Sequence, residues 1–217
     1  MNVLIMAANG RIARIIEERI LTENQFEDIN LTLFLRDTNR LAQLKSNSRV
    51  KMIEGDLTNF DDVNQAMKGI DFVYVAVVDH TKGGVITQNI IKAADQNAVK
   101  RVVMTNILGI YGEVPGEFGR WNAQSVGQSS LNEALKTDQM LAKSDLNYTT
   151  LRLPWLNDRN EVKYSITHRN DEFVGVSASR QSVADLVLRL IKDPTLGQRD
   201  SLGLADPDTQ GETRPVY

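Results

Sequence analysis

With 217 residues and a net charge of −3, from 25 Lys and Arg against 28 Asp and Glu, the chain can bury a substantial core and lacks the basic surplus of a nucleic-acid binder. Its 41% hydrophobic and 24% charged residues are those of a globular chain, not a disordered one. The absence of cysteine excludes disulfides, thiolate metal sites and thiol nucleophiles, and no apolar run approaches the roughly 18 residues of a membrane span.

Apolar runs of strand length alternate with helical patterns. VLIM at 3–6 reads as a strand, followed by a helix whose apolar face is Ile12, Ile15, Ile16 and Ile20. LTLFL at 31–35 precedes a short helix near 38–45, and VKMIEGD at 50–56 leads to a helix carrying Val63, Ala66 and Met67. FVYVAVV at 72–78 comes before a helix with Ile86, Ile90, Ala93 and Ala94. RVVMTNI at 101–107 runs into residues 107–127, a stretch with five glycines, a proline and several aromatics that reads as a long substrate-side loop. A helix near 128–143 and a last strong strand, YTTLRL at 148–153, follow. Residues 154–178 read as a second substrate-side loop with short strands such as EVKYSIT. A final helix, capped by Ser179 or Ser182, presents Val183, Leu186, Val187, Leu190 and Ile191. Strands apolar on both faces predict a mainly parallel sheet with helices on both sides, a doubly wound α/β fold in one domain over 1–217.

The turn after the first strand, AANGRIA, places small residues where a dinucleotide's pyrophosphate needs a tight turn, a close approach and a close helix contact: Ala7, Gly10 and Ala13. Ala7, Asn9, Gly10, Arg11 and Ile12 are therefore candidate phosphate-turn residues, with Gly10 central because only a residue without Cβ lets phosphate reach the helix N-terminus. Ala7 carries a cost if its φ is positive. The second strand ends LFLRD. Arg36 there and Arg11 in the turn suit a 2′-phosphate, which guanidinium grips in bidentate fashion, so NADP(H) is favoured with NAD(H) as the alternative. Asp37 either pairs with Arg36 or contacts ribose.

AANGRIA, GDLT at 55–58, MTNILGIYGEVPGEFGRWN and SDLNYTTLRLPWL together resemble the atypical short-chain dehydrogenase/reductases, in particular NmrA-like NAD(P)-binding proteins. The resemblance implies a Rossmann-type sheet with the cofactor across the carboxyl ends of its strands. Asp56 and Leu57 would lie along the adenine and Ala76, Val77 and Val78 along the ribose, with Thr105, Asn106, Pro154 and Trp155 flanking the nicotinamide. Members that reduce carbonyls use a Ser, a Tyr and a Lys four residues after the Tyr, the phenol giving a proton as hydride arrives. Here the lysine position falls on Lys136, which the resemblance implies would hold the nicotinamide ribose, but four residues earlier stands Asn132. The expected catalytic set is thus Lys136, Asn106 and Tyr111, the last from the 107–127 loop, where Tyr111 and Trp121 either cover a flat substrate or pin the loop to the core. His80 and His168 suggest no metal site, and no Ser–His–Asp arrangement occurs.

The resulting expectation is a cytoplasmic NADPH-dependent oxidoreductase, monomeric or homodimeric, acting on a small flavin- or quinone-like molecule without membrane or nucleic-acid partners. The rival expectation is a non-catalytic NADP(H) sensor of NmrA type.

Overall fold

The computed structural model describes residues 1–217. Eight strands form one sheet: β1 Asn2–Met6, β2 Asn30–Leu35, β3 Val50–Glu54, β4 Phe72–Val75, β5 Arg101–Ile107, β6 Tyr148–Leu153, β8 Ser165–Thr167 and β10 Asp200–Ala205. Two more, β7 Trp155–Asn157 and β9 Ser177–Ser179, pair in parallel beside it. The spatial order is β3-β2-β1-β4-β5-β6-β10-β8, parallel throughout except for antiparallel β8 against β10. Val3 of β1 faces Leu31 of β2 on one side and Phe72 of β4 on the other. Strand order therefore reverses at β1, and the carboxyl ends of β1 and β4 diverge there to leave a crevice.

Helices α1 Arg11–Thr22 and α6 Arg180–Lys192 cover one face of the sheet; α2 Phe60–Ala66, α3 Val85–Gln96 and α5 Gln128–Lys143 cover the other. Alternate residues of β1 serve the two cores: Val3 and Ile5 pack with Ile16 and Val187, whereas Leu4 and Met6 pack with Val63 and Ile90. Burial on both faces is why these strands read as unbroken apolar runs. No helix is long and apolar enough to cross a membrane.

Two elements depart from the sequence expectation. Residues 116–126, read as loop, form helix α4 Gly116–Val126, which meets α5 at Gly127. Pro115, Gly116 and Gly119 disguise it, yet Gly119 is required there because a Cβ would lie 2.0 Å from the Val114 carbonyl oxygen. Strand β10, DSLGLA, was not anticipated because its glycine and serine mask the pattern. Gly203 is needed because a side chain would strike the Phe173 ring at 2.6 Å.

Glu17 lies buried on α1, 2% exposed, with Oε1 lacking a hydrogen-bond partner. Burial pushes its carboxyl up from 4.5 to about 8, against the opposing pull of Arg14. The folded state thus keeps a proton that the unfolded chain releases near 4.5. This contribution to stability is complete below pH 4.5 and is lost as pH rises towards 8. Glu17→Gln should match the parent near pH 4.5 and exceed it by a few kcal/mol above pH 8, on the order expected for such a shift. Urea unfolding across that range checks this; a pH-independent difference would refute it.

Candidate functional site

The crevice at the switch point opens into a cleft of about 790 Å³. The β1–α1 turn supplies Ala7, Asn9 and Gly10, and the end of β2 supplies Leu35, Arg36 and Asp37. Gly55 to Thr58 line it after β3, and Ala76 and Val77 after β4; Val78 follows them, half-buried. Arg40, Phe34 and Ile86 complete the lining.

Each wall has a local cause. Ala76 is placed by its amide, which donates to the Met6 carbonyl at 3.0 Å. Gly55 is glycine because a Cβ would meet the Phe34 ring at 2.6 Å. Asp56 accepts from the Thr58 amide at 2.8 Å and hydroxyl at 2.7 Å. These bonds, with the Arg36 charge adding, hold its carboxyl below the usual range and fix it as an anion. Asp37 caps the short helix after β2 by accepting from the Asn39 amide at 3.1 Å, and touches Arg40 only at 3.7 Å. Arg36 and Arg40 thus both line the cleft, beside the carboxylates of Asp37 and Asp56 and without a close ion pair to either. Arg40 is the residue that sequence reading missed; its signal was a second arginine four positions after Arg36, one turn on.

Ala7 adopts φ +58°. The backbone does require the left-handed conformation there, at a cost of about 1 kcal/mol for a residue with a Cβ. Gly10 is ordinary in its own backbone, φ −66° and ψ 152°, and caps α1 without any side-chain hydrogen bond. The first amides of α1 are therefore free to receive an anion. A Cβ on Gly10 would contact Ala7 O at 3.4 Å and Ala76 O at 3.8 Å, normal packing distances. The open turn, the uncapped helix start and the pair of cleft arginines fit the phosphates of a nicotinamide dinucleotide.

The remaining sequence candidates are distributed differently from expectation. Arg11 leaves the cleft and pairs with Asp158 at 2.8 Å, and Ile12 turns towards the core. Thr105 is buried and donates to the Tyr74 hydroxyl at 3.1 Å. Asn106 is 3% exposed and fully engaged: its amide nitrogen reaches the Ala134 carbonyl at 2.9 Å and its oxygen accepts from Ile107 N at 2.8 Å. It locks α5 to β5 and has no free group for a substrate. Lys136 projects outward, 55% exposed, and pairs with Glu133 at 2.6 Å beside Asn132. Tyr111 donates to Asp138 at 2.6 Å, in a cluster where Arg169 and Thr150 hold the same carboxylate at 2.7 Å each. Burial raises its phenol above the usual value and the Asp138 bond raises it further, which opposes proton donation. Pro154 is buried, and Trp155 lies 5.0 Å from Trp121 with its indole N–H bonded to Asn122 at 2.9 Å. His80 is exposed, and His168 pairs with Asp200 at 2.6 Å.

Residues 7–194 match the sequence family described as NAD(P)H-binding. The chain belongs to that family. A short-chain dehydrogenase/reductase from Veillonella parvula DSM 2008, solved in complex with NADP, superposes with a TM-score of 0.91 at 27% identity, covering 100% of this chain and 99% of that one. A Rossmann-fold NAD(P)-binding family protein from Shigella flexneri is 30% identical with a TM-score of 0.79, over 100% and 98%. A UDP-glucose 4-epimerase from Rickettsia bellii is 22% identical across 94% of this chain, which spans only 56% of that relative. The expected affiliation with the atypical short-chain dehydrogenase/reductases and the Rossmann-type sheet therefore hold.

Two substitutions in the turn separate backbone from ligand demands. Ala7→Gly should raise unfolding stability by about 0.5–1 kcal/mol by relieving the left-handed alanine. Gly10→Val should remain folded, since space exists for its Cβ, yet lose dinucleotide binding. Circular dichroism with NADPH fluorescence titration checks both, and unchanged affinity in folded Gly10→Val would place the cofactor elsewhere.

Proposed function

We propose that the protein is an NADPH-dependent oxidoreductase acting on a flat conjugated acceptor, a flavin or a quinone. The observation that carries this reading is the lack of an available proton donor among the expected catalytic residues. Tyr111 is tied to Asp138, Asn106 is saturated, and Lys136 and Asn132 face outward. Cofactor choice rests on Arg36 and Arg40, which both line the cleft that the adenosine half would occupy, where a 2′-phosphate would receive charge-assisted hydrogen bonds.

The residues divide the work accordingly. The α1 N-terminus and Gly10 would hold the pyrophosphate, Asp56 and Leu57 would line the adenosine, and Trp155 with Trp121 forms a wall beyond β6. When bound, NADPH supplies hydride. A simple ketone would then develop alkoxide charge that needs a protein acid, whereas a quinone or flavin spreads that charge over its rings and draws its proton from water.

Stopped-time assays at one NADPH concentration should show oxidation with a quinone such as menadione and negligible rates with simple aldehydes. Efficient aldehyde reduction would defeat the reading. Tight NADPH binding without turnover of any acceptor would favour a redox-sensing role instead. Arg36→Ala should weaken NADPH by roughly ten- to a hundredfold, as for loss of a charged hydrogen bond, and NADH far less. Equal losses would remove Arg36 from cofactor discrimination.

A further inference from the structure

A second, shallower cleft of about 650 Å³ lies beside the phosphate turn, lined by Arg11, Asn157, Asp158, Arg159, Arg180 and Tyr217. Arg11 and Arg180 are the first residues of α1 and α6, helices that pack together on the same sheet face, so the fold brings both guanidiniums to one spot. Asp158 stands between them, its two oxygens 2.8 Å from Arg11 and 2.7 Å from Arg180. The match is uneven. The Arg180 side chain is 14% exposed, whereas that of Asp158 is 66% exposed. A largely buried cation is thus neutralised only by a solvent-facing carboxylate on the loop after β7. Arg159 adds a third guanidinium, donating to the Tyr217 carbonyl at 3.0 Å and reaching Glu161 only at 3.8 Å.

We propose that this cleft is an acceptor subsite for an acidic group, a carboxylate or phosphate, which displaces Asp158 and is held by Arg180, Arg159 and Arg11. The proposal rests on the oxidoreductase reading and names the acceptor's chemistry: a flat ring system bearing an anionic arm. Location supports it, because Asp158 follows directly on the β7 segment that carries Trp155, and Arg11 follows Gly10. A ligand oxyanion repeats what Asp158 does for Arg11 and Arg180 and adds Arg159, whose ion pair with Glu161 is long at 3.8 Å.

Riboflavin and FMN share a ring and differ by one phosphate, which isolates the arm. With the protein saturated in NADP⁺, flavin fluorescence titration should give FMN at least tenfold tighter than riboflavin. Arg159→Ala and Arg180→Ala should collapse that ratio, and Asp158→Asn should widen it by removing the competing carboxylate. A benzoquinone with and without a carboxylate arm, titrated by tryptophan quenching, distinguishes carboxylate from phosphate preference. Arg159 is half-exposed, so its variant keeps the test valid should Arg180→Ala fail to fold. Equal affinities within both pairs, no binding of either charged member, or a ratio untouched in the folded arginine variants would overturn the subsite. Because binding is read without turnover, failure of the oxidoreductase reading shows separately, as NADPH that neither flavin oxidises.

Discussion

The segments that follow β5 and β6 hang on one buried ion pair, Arg152 with Glu113 at 2.8 Å, side chains 0% and 5% exposed. Glu113 also accepts from the amides of Gly109 at 3.0 Å and Tyr111 at 2.9 Å, which shapes the chain leaving β5. Arg152, on β6, reaches on to the carbonyls of His168 at 2.7 Å and Ser201 at 3.2 Å. Four segments distant in sequence are thus tied to one pair of charges. Losing either partner would strand an uncompensated charge, at about 3–5 kcal/mol. The Tyr111 and Phe173 rings lie 5.3 Å and 5.9 Å from the guanidinium, so the same pair also organises the aromatic packing around it.

That arrangement decides which chemistry the site has at its disposal. With its amide fixed by Glu113, Tyr111 directs its hydroxyl to Asp138, which is wholly buried on α5 and also held by Arg169 and Thr150. Asp138 in turn fixes the rotation of α5. Residues two apart on a helix point to nearly opposite sides. An inward Asp138 therefore sends Lys136 outward to Glu133. One network accounts both for a phenol that holds its proton and for a lysine paired with Glu133 at the surface. Restoring a tyrosine at position 132 alone would place it on the exposed face of α5 rather than at the end of β5.

The central strands and the faces of α1, α3 and α6 were legible in the sequence because burial on both sides or along one stripe imposes a period that composition cannot hide. That Gly10, Arg36 and Asp56 line one cleft was legible too, since they sit at element ends, where local sequence sets position. The surroundings of Asn106, Tyr111 and Lys136 were not. The rotation of α5 depends on burying an aspartate, which hydropathy reads as exposed. Helix α4 depends on Gly119, whose lack of a side chain admits the Val114 carbonyl, a contact set by tertiary packing. Arg11 was misjudged for a similar reason: its partner, Asp158, is 147 residues away.

In the turn between β1 and α1, alanine and glycine stand opposite to what backbone strain alone would choose. At position 7 the backbone itself calls for glycine, with φ +58°, and the chain has alanine. At position 10 the backbone is extended and a Cβ would fit at ordinary distances, yet the chain has glycine. If folding stability alone chose these residues, the two would be exchanged: glycine where the conformation is strained, alanine at the helix start. The observed order makes sense once a ligand is considered, because Cβ at position 10 would stand over the free amides of α1, whereas Cβ at position 7 costs about 1 kcal/mol of strain and leaves them open. Glycine therefore sits where an anion must approach, not where the chain would most benefit from it.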